Sequence, residues 1–485
     1  VSSSKYEIIV GIETHVQLAT KSKLFCGCNN DSREAAPNTN VCPVCLGLPG
    51  ALPVLNGGAV KLALKAGHAL NAYEGVERVN SKFDRKNYFY PDSPMNYQIT
   101  QFDQPIIGPG YVEFPVDGQL KRVGITRTHL EADAGKLVHP AGKDYSLVDL
   151  NRAGTPLIEI VSEPDMRSAA EAKAYAQELY NLMRYAGVSD ADLYYGNMRF
   201  DVNVSLRPVG STEFGTRTES KNLNSFRAVA GVVEYEAKRQ EEILERGEPV
   251  IQETRGWDEG KRKTFSQRTK EEAHDYRYFP EPDLPPLVIT RAMLDKARAD
   301  FPPDRHPHNI RAVMMSHGLD AKTAEALIDE PTLAFLYLDA VVGSDRGHHR
   351  RIANWLTGEV RAYMQAEPTG PLHNLNKERI VALAEMVESG ELSSTASKEV
   401  LVEMIKTGKE PKIIALQKKL IQVSDTGELE KIVDQVIADN PGPAEQFRQG
   451  EDKVLGFLVG QVMKASKGQA NPPMVNDILR EKLKR

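Results

Sequence analysis

The sequence predicts an α+β protein: a strand-rich stretch of about 290 residues, then a helical stretch to the end. Three observations lead there. Apolar and polar residues alternate with period two at several places in the first part. Prolines cluster at 280, 282, 285 and 286, and again at 302, 303 and 307, which breaks regular structure and sets a boundary near 290. Beyond the prolines, apolar residues recur with helical spacing.

The first strand is read over 6–18. Ile8, Val10, Ile12, Val16 and Leu18 share one face, and Glu13, His15 and Gln17 share the other. Further alternating runs lie at 122–131 and 199–206. Two helices interrupt the strands. One starts at Ser168, with Glu171 three residues on in a capping-box pattern, and runs to about Tyr185. The other spans Ser225 to Arg246 and stops at Gly247. In the second part, Val381, Leu383, Ala384 and Met386 mark a helix, as do Val400, Leu401, Met404 and Ile405. Leu429, Ile432, Val433 and Val436 mark another. A linker over Lys406–Lys412 divides this part, so the expected domains are 1–290, 291–405 and 406–485.

A chain of 485 residues fits two to four domains. Its hydrophobic and charged fractions, 41% and 26%, are ordinary for a globular protein, and no apolar run approaches the length of a membrane span. The opening Val1-Ser2-Ser3-Ser4-Lys5 leads straight into strand pattern, so a cytoplasmic location is expected. The net charge of −6 argues against a protein that lives by non-specific nucleic-acid binding; RNA contact would need a local patch or a partner.

All four cysteines fall between 26 and 45, as Cys26-Gly-Cys28 and Cys42-Pro-Val-Cys45. Two pairs on separate turns can surround one ion, and tetrahedral thiolate sites suit zinc. Unliganded reduced cysteines are the alternative. A zinc with all four positions filled would pin a loop and do no chemistry.

Glu13 and His15 stand side by side on the first strand. Arg127, His129 and Glu131 share one face of a second run, Arg199, Asp201, Asn203 and Ser205 one face of a third, and Arg217, Glu219 and Lys221 one face of a fourth. Carboxylates interleaved with Arg, His and Asn can converge on a divalent ion and phosphate groups, because Mg²⁺ takes oxygen ligands and basic groups offset phosphoryl charge. Separate solvated faces would give the same pattern. The chain has no GxxxxGK[ST], GxSxG or HExxH motif. With the cysteines committed to metal, no thiol is left to free ammonia from an amide.

Longer segments carry a resemblance. They are Val10-Gly-Ile-Glu-Thr-His-Val-Gln-Leu18, Phe83-Asp-Arg-Lys-Asn-Tyr-Phe-Tyr-Pro-Asp92, Asn151-Arg-Ala-Gly-Thr-Pro-Leu-Ile-Glu-Ile-Val-Ser-Glu-Pro-Asp165, Lys221-Asn-Leu-Asn-Ser-Phe-Arg227, Gly456-Phe-Leu-Val-Gly-Gln-Val-Met-Lys464 and Lys467-Gly-Gln-Ala-Asn-Pro472. Over nearly its whole length the chain resembles the GatB family of aspartyl/glutamyl-tRNA(Asn/Gln) amidotransferase subunits.

The resemblance implies a cradle domain on an antiparallel sheet, a helical domain and a small helical tail that grips tRNA. It implies ATP-dependent phosphorylation of the side-chain carboxylate of Glu-tRNA(Gln) or Asp-tRNA(Asn), then amidation by ammonia channelled from the amidase subunit of the same complex. A small bridging subunit completes that complex, and the cognate aminoacyl-tRNA synthetase is a further candidate partner; no membrane is involved. Glu13, His15, Glu131 and Glu219 match the magnesium-binding and catalytic positions, with Asp201 and Arg199 in supporting roles. Zinc at Cys26, Cys28, Cys42 and Cys45 completes the expected cofactors, beside ATP and Mg²⁺.

The family pattern has a second Glu where this chain has Ala132; strand alternation puts Glu131, not position 132, beside Arg127 and His129. Ser93-Pro-Met-Asn96 also departs from the family's usual Leu-Pro-x-Gly, at a turn. Lysines 398, 406, 409, 412, 418, 419, 464 and 467 in the helical part can touch phosphates or lie on an ordinary solvated surface. A non-catalytic tRNA-binding scaffold and the archaeal glutamate-only relative are the rival readings; intact Glu13, His15, Glu131 and Glu219 weigh against the first, and the lack of room for an inserted domain against the second.

Overall fold

A computed structural model describes residues 5–269, 276–343, 345–422, 426–466 and 470–484. The chain divides into two compact units, Val1–Ile310 and Arg311–Arg485. The first carries an antiparallel-rich sheet and the second is helical, so the fold is α+β.

The sheet of the first unit has eight strands: β1 (Tyr6–Gln17), β2 (Gly110–Val116), β3 (Gln119–Ala132), β4 (Pro156–Ser162), β5 (Met198–Pro208), β6 (Thr218–Leu223), β7 (Glu253–Asp258) and β8 (Lys263–Thr269). Their order across the sheet is β8-β7-β6-β5-β1-β4-β3-β2, antiparallel throughout except for β6 beside β7. The first strand therefore sits near the centre, between β5 and β4. Its alternation is realised in burial: Val10, Ile12 and Val16 are fully covered, while Glu13, His15 and Gln17 point to the other, partly open side.

Two helices cover the apolar face, α2 (Ala169–Tyr185) and α3 (Phe226–Glu245), numbered after α1 (Gly57–Ala69). Phe200 of β5 meets Phe226 of α3, and Phe114 of β2 meets Tyr175 of α2 edge-on. Both helices start where the sequence signals a cap. The Ser168 hydroxyl accepts from the Glu171 amide, and the Ser225 hydroxyl accepts from the Ala228 amide. Only half of the capping box forms, because the Glu171 carboxylate accepts from the Arg167 amide instead of turning back to Ser168. Helix α3 ends before Gly247, whose φ of 76° is the left-handed conformation that glycine adopts cheaply.

The prolines near 290 do not end the first unit. Strand Leu287–Thr290 pairs with Arg78–Ser81, and helix Arg291–Asp300 packs on α1, so the break falls after Ile310. In the second unit, helices Lys377–Glu388, Ser394–Thr407 and Thr426–Asp439 contain the helical runs read from the sequence. Lys406–Lys412 is a tight turn rather than a spacer: Gly408, at φ 67°, ends one helix and Pro411 begins the next. Leu429, Val433, Leu455, Leu458, Val462, Val475 and Leu479 close a core of their own toward the C-terminus. Among the described residues, no helix is long and apolar enough to cross a membrane.

Candidate active site and cysteine cluster

The open face of the sheet is built from rungs. Antiparallel pairing sets Arg199 of β5 opposite His15 of β1, His15 opposite Glu159 of β4, and Glu159 opposite His129 of β3. Residues paired this way point to the same side, so four strands line up two imidazoles, a carboxylate and a guanidinium. One step along, Glu13 faces Asp201 on one side and Val161 on the other. Asn203 faces Glu219, and Glu131 faces Leu157.

These rungs floor a cavity of about 800 Å³ lined by Glu13, His15, Glu131, Glu159, Arg199, Glu219 and Lys221, with Lys86 and Tyr276 on its side. His15 Nε2 lies 3.2 Å from Glu159 and 3.8 Å from Glu131, and His129 Nε2 lies 3.4 Å from Glu131. His15, Glu131 and Glu159 can each aim one donor atom at a common point, all within 4.8 Å of one another. Two carboxylates and an imidazole fit a small divalent ion, with the remaining positions open to water or phosphate oxygen.

A second acidic group adjoins it. Lys221 Nζ lies 3.1 Å from Glu219 and 3.2 Å from Asp201, and Asn203 donates to Glu13 at 3.3 Å. Six residues were expected here. Glu13, His15, Glu131, Glu219 and Arg199 all line the cavity, while Asp201 lies beneath it, bonded to Lys221 and to the Asn222 amide. Glu131 points to the cavity, as strand alternation requires, and is buried.

The electrostatics follow from this crowding. Burial, then the charges of Glu159, Glu219 and Asp201, push the Glu13 pKa up. Burial opposes the His15 cation, but the Glu159 hydrogen bond and the Glu131 charge outweigh it and raise its pKa. Burial likewise opposes the Glu159 carboxylate; the His15 hydrogen bond, His129 and Lys86 prevail and hold its pKa well below the usual carboxylate range. Lys86 and Lys221 are desolvated, yet the carboxylates around them raise both pKa values and keep them cationic.

Glu159 is the residue that sequence reasoning passed over. It is the one charge inside Pro156-Leu-Ile-Glu-Ile-Val-Ser162, and a lone carboxylate in a buried central strand is itself a signal. Lys86 was likewise in view, inside the segment 83–92, without a role.

The four cysteine sulfurs lie within 4.8 Å of one another. Zinc–sulfur bonds of about 2.3 Å in a tetrahedron put sulfurs about 3.8 Å apart, and Cys42 and Cys45 Sγ are 3.8 Å apart. The Cys42 amide also points at Cys45 Sγ, at 3.1 Å. Cys45 is the natural thiolate of the group, pulled down to about 4 by the Cys26 thiol first and by the Cys42 amide and Lys23 after it. The donor set fits zinc. Cys26, Val44 and Cys45 also line the same cavity as Glu13 and His15.

The family descriptor GatB/GatE catalytic domain matches residues 8–295, and GatB domain matches 336–483. The chain belongs to the GatB family. Three GatB proteins, each named as the B-subunit of an aspartyl/glutamyl-tRNA(Asn/Gln) amidotransferase, show how far the likeness extends. That of Carboxydothermus hydrogenoformans is 49% identical over 99% of both chains. Those of Persephonella marina and Caldicellulosiruptor saccharolyticus are 48% and 46% identical over 99% of this chain and all of theirs.

The helical unit offers a mixed surface. Lys398, Lys412 and Lys418 each pair with a glutamate of the same unit, Glu359, Glu391 and Glu399 respectively. Lys409 donates to Gln417. Lys467, also expected to touch RNA, lies outside the described residues.

Proposed function

We propose that this chain is the component of a tRNA-dependent amidotransferase that activates a tRNA-bound carboxylate and passes it to ammonia. The observation that carries the reading is the rung Arg199–His15–Glu159, flanked by Glu131, Glu13, Lys86 and Lys221 in one cavity and backed by His129 against Glu131. A bare carboxylate is a poor acyl donor, because oxide would have to leave. Transfer of the γ-phosphoryl group of ATP to the side chain of Glu-tRNA(Gln) or Asp-tRNA(Asn) replaces that leaving group with phosphate.

Magnesium, when bound at His15, Glu131 and Glu159, supplies charge neutralisation for the phosphoryl oxygens. The chain's own groups do the rest. Lys86, Lys221 and Arg199 are cations in a partly dehydrated cavity, where they orient and offset phosphate charge. Glu13, its pKa raised by burial and three acidic neighbours, is suited to take a proton from ammonium or the attacking amine. Ammonia attack then expels phosphate and leaves the amide of Gln-tRNA(Gln) or Asn-tRNA(Asn). Ammonia would come from glutamine through an amidase partner, with a small bridging partner completing the complex. The helical tail would hold the tRNA, with the unit's own glutamates limiting how many lysines are available. The cysteine cluster would hold zinc as a structural ion.

The test is reconstitution with the amidase and small partners, supplying Glu-tRNA and Asp-tRNA in turn with Mg²⁺, glutamine and labelled ATP. Phosphate release and amide formation that depend on either charged tRNA support the reading and name the substrate. Absence of tRNA-dependent ATP cleavage with both would leave a tRNA-binding scaffold.

A further inference from the structure

Lys23 is among the largest fully buried side chains of the first unit, with no exposed surface. A buried ammonium is costly unless an opposite charge sits beside it. Among the described residues, no carboxylate lies within ion-pair distance of Lys23. Its Nζ donates to the Asn40 carbonyl at 2.9 Å and points at Cys45 Sγ at 3.7 Å. Its backbone amide donates to the Cys28 carbonyl at 3.0 Å. One residue thus touches both cysteine pairs, through its main chain on one side and its side chain on the other.

Charge arithmetic explains the placement. Four thiolates around a divalent ion carry a net charge of −2, and one ammonium against them halves it. Lys23 has no other charge partner among the described residues, so its burial suits the cluster in the metal-loaded, fully deprotonated state. Space points the same way. At Gly154, held at φ 87°, a Cβ would stand 3.6 Å from both Cys45 Cβ and Lys23 Cδ. The lysine stem is therefore packed between the strap at Gly154 and the cysteine loop. The Leu24 amide donates to the Gly154 carbonyl and fixes that strap. Gly154, Cys45 and Cys26 are wall residues of the active-site cavity.

We propose that Lys23 is the charge-compensating, positioning residue of the cysteine metal site, and that through Cys45 it holds the loop as a wall of the cavity. This rests on the reading of the four cysteines as a zinc site.

The experiment uses the full-length chain loaded with Zn²⁺ or Co²⁺. Metal affinity is read by competition with a chromophoric chelator, and ligand identity by the Co²⁺–thiolate absorption bands. Lys23→Met keeps the length of the side chain and removes its charge. Loss of a group that supports metal ligands weakens affinity by roughly 10–100-fold, and that loss is expected here with the four-thiolate Co²⁺ spectrum retained. Replacing a thiolate other than that of Cys45 by a neutral ligand, Cys28→His, lowers the magnitude of the cluster's negative charge and leaves the Lys23–Cys45 contact in place. In that background Lys23→Met should cost much less. The metal-free melting temperature should fall less in Lys23→Met than that of the loaded chain.

Unchanged zinc affinity in Lys23→Met would overturn the proposal. So would the same loss in both cysteine backgrounds, or equal thermal destabilisation with and without metal, which is what a packing role alone gives. A wild-type chain that takes up neither ion would overturn the zinc reading itself, and this proposal with it.

Discussion

Replacing Glu159 by Gln isolates one charge at the centre of the site. The side chain keeps its size and an acceptor oxygen for His15, so packing against the sheet is little changed. What disappears is the carboxylate 3.2 Å from His15 Nε2 and 3.9 Å from His129 Nε2. At 3.2 Å and an effective dielectric constant of about 20, a charge pair is worth about 5 kcal/mol before desolvation. Part of that is returned, because Glu13 loses a like-charge neighbour. The burial that opposes the Glu159 carboxylate is relieved as well, so the net cost to folding falls below the pair energy.

The ion is hit harder. One of two carboxylate donors becomes a neutral amide, and affinity should fall roughly 10–100-fold, or about 1.4–2.7 kcal/mol. In the reconstituted complex, tRNA-dependent ATP cleavage should need at least about tenfold more Mg²⁺ for half-maximal rate. Excess Mg²⁺ should recover much of the activity, with tRNA affinity unchanged. His15, relieved of the carboxylate that raises its pKa, should titrate at lower pH than in the unsubstituted chain. An unaltered Mg²⁺ requirement at full activity would remove Glu159 from the ion's ligands and refute the reasoning from the rung.

Glu13→Ala and Glu219→Ala should each lower phosphorylation of the tRNA-bound carboxylate by at least about 100-fold and leave the partner's glutaminase activity largely intact; normal phosphate release by both would exclude them from the reaction. Because the C-terminal core from Leu429 to Leu483 closes on itself, a chain ending at residue 422 should bind charged tRNA at least about tenfold more weakly and ATP with little change, as read by filter binding and calorimetry. His306, buried and stacked 4.8 Å from the Phe301 ring, has its pKa pulled down to about 4 by burial first and His68 second. Its neutral form is the folded one, so its contribution, on the order of 3 kcal/mol, is present above pH about 6.5 and is lost as pH falls toward 4. The melting temperature should drop less over that interval in His306→Leu, and parallel curves would contradict the assignment.

The site was legible in β1, where period two separates the buried apolar side from Glu13 and His15 and the structure keeps that separation. In β3 the alternation is broken by a bulge between Ile125 and Arg127, and both faces are buried from Thr128 to Glu131, so His129 and Glu131 stood out as charged groups rather than as an open face. Glu131 and Ala132 both border the cavity, and of the two only Glu131 brings a carboxylate to it. Glu159 was harder, because β4 is apolar around it and gives no alternating stripe. Its role depends on register with β1 and β3, and pairings between residues so far apart in sequence leave no local mark. The same holds for Lys23, which looks like an ordinary turn lysine until the fold brings Asn40 and Cys45 over it. Helix starts were legible from Ser168 and Ser225 because capping is local. The prolines near 290 report a local interruption, close to where the catalytic-domain match ends at 295, whereas the compact unit runs on to Ile310 because the next strand and helix pack back on it.

The rungs also determine how such a chain can drift over generations. Apart from Lys86, which a small separate sheet supplies, its reactive groups come from five strands spread between residues 6 and 223, and their mutual distances are set by the spacing of the sheet rather than by the loops between. Connections can lengthen or shorten without moving a single donor atom. A one-residue deletion inside β1 before Glu13 is a different event: it would turn Glu13 and His15 toward α2 and α3 and bring Ile12 and Val16 into the cavity. Gene length can therefore vary at the joints of this fold, while the strand interiors accept substitutions but not insertions or losses.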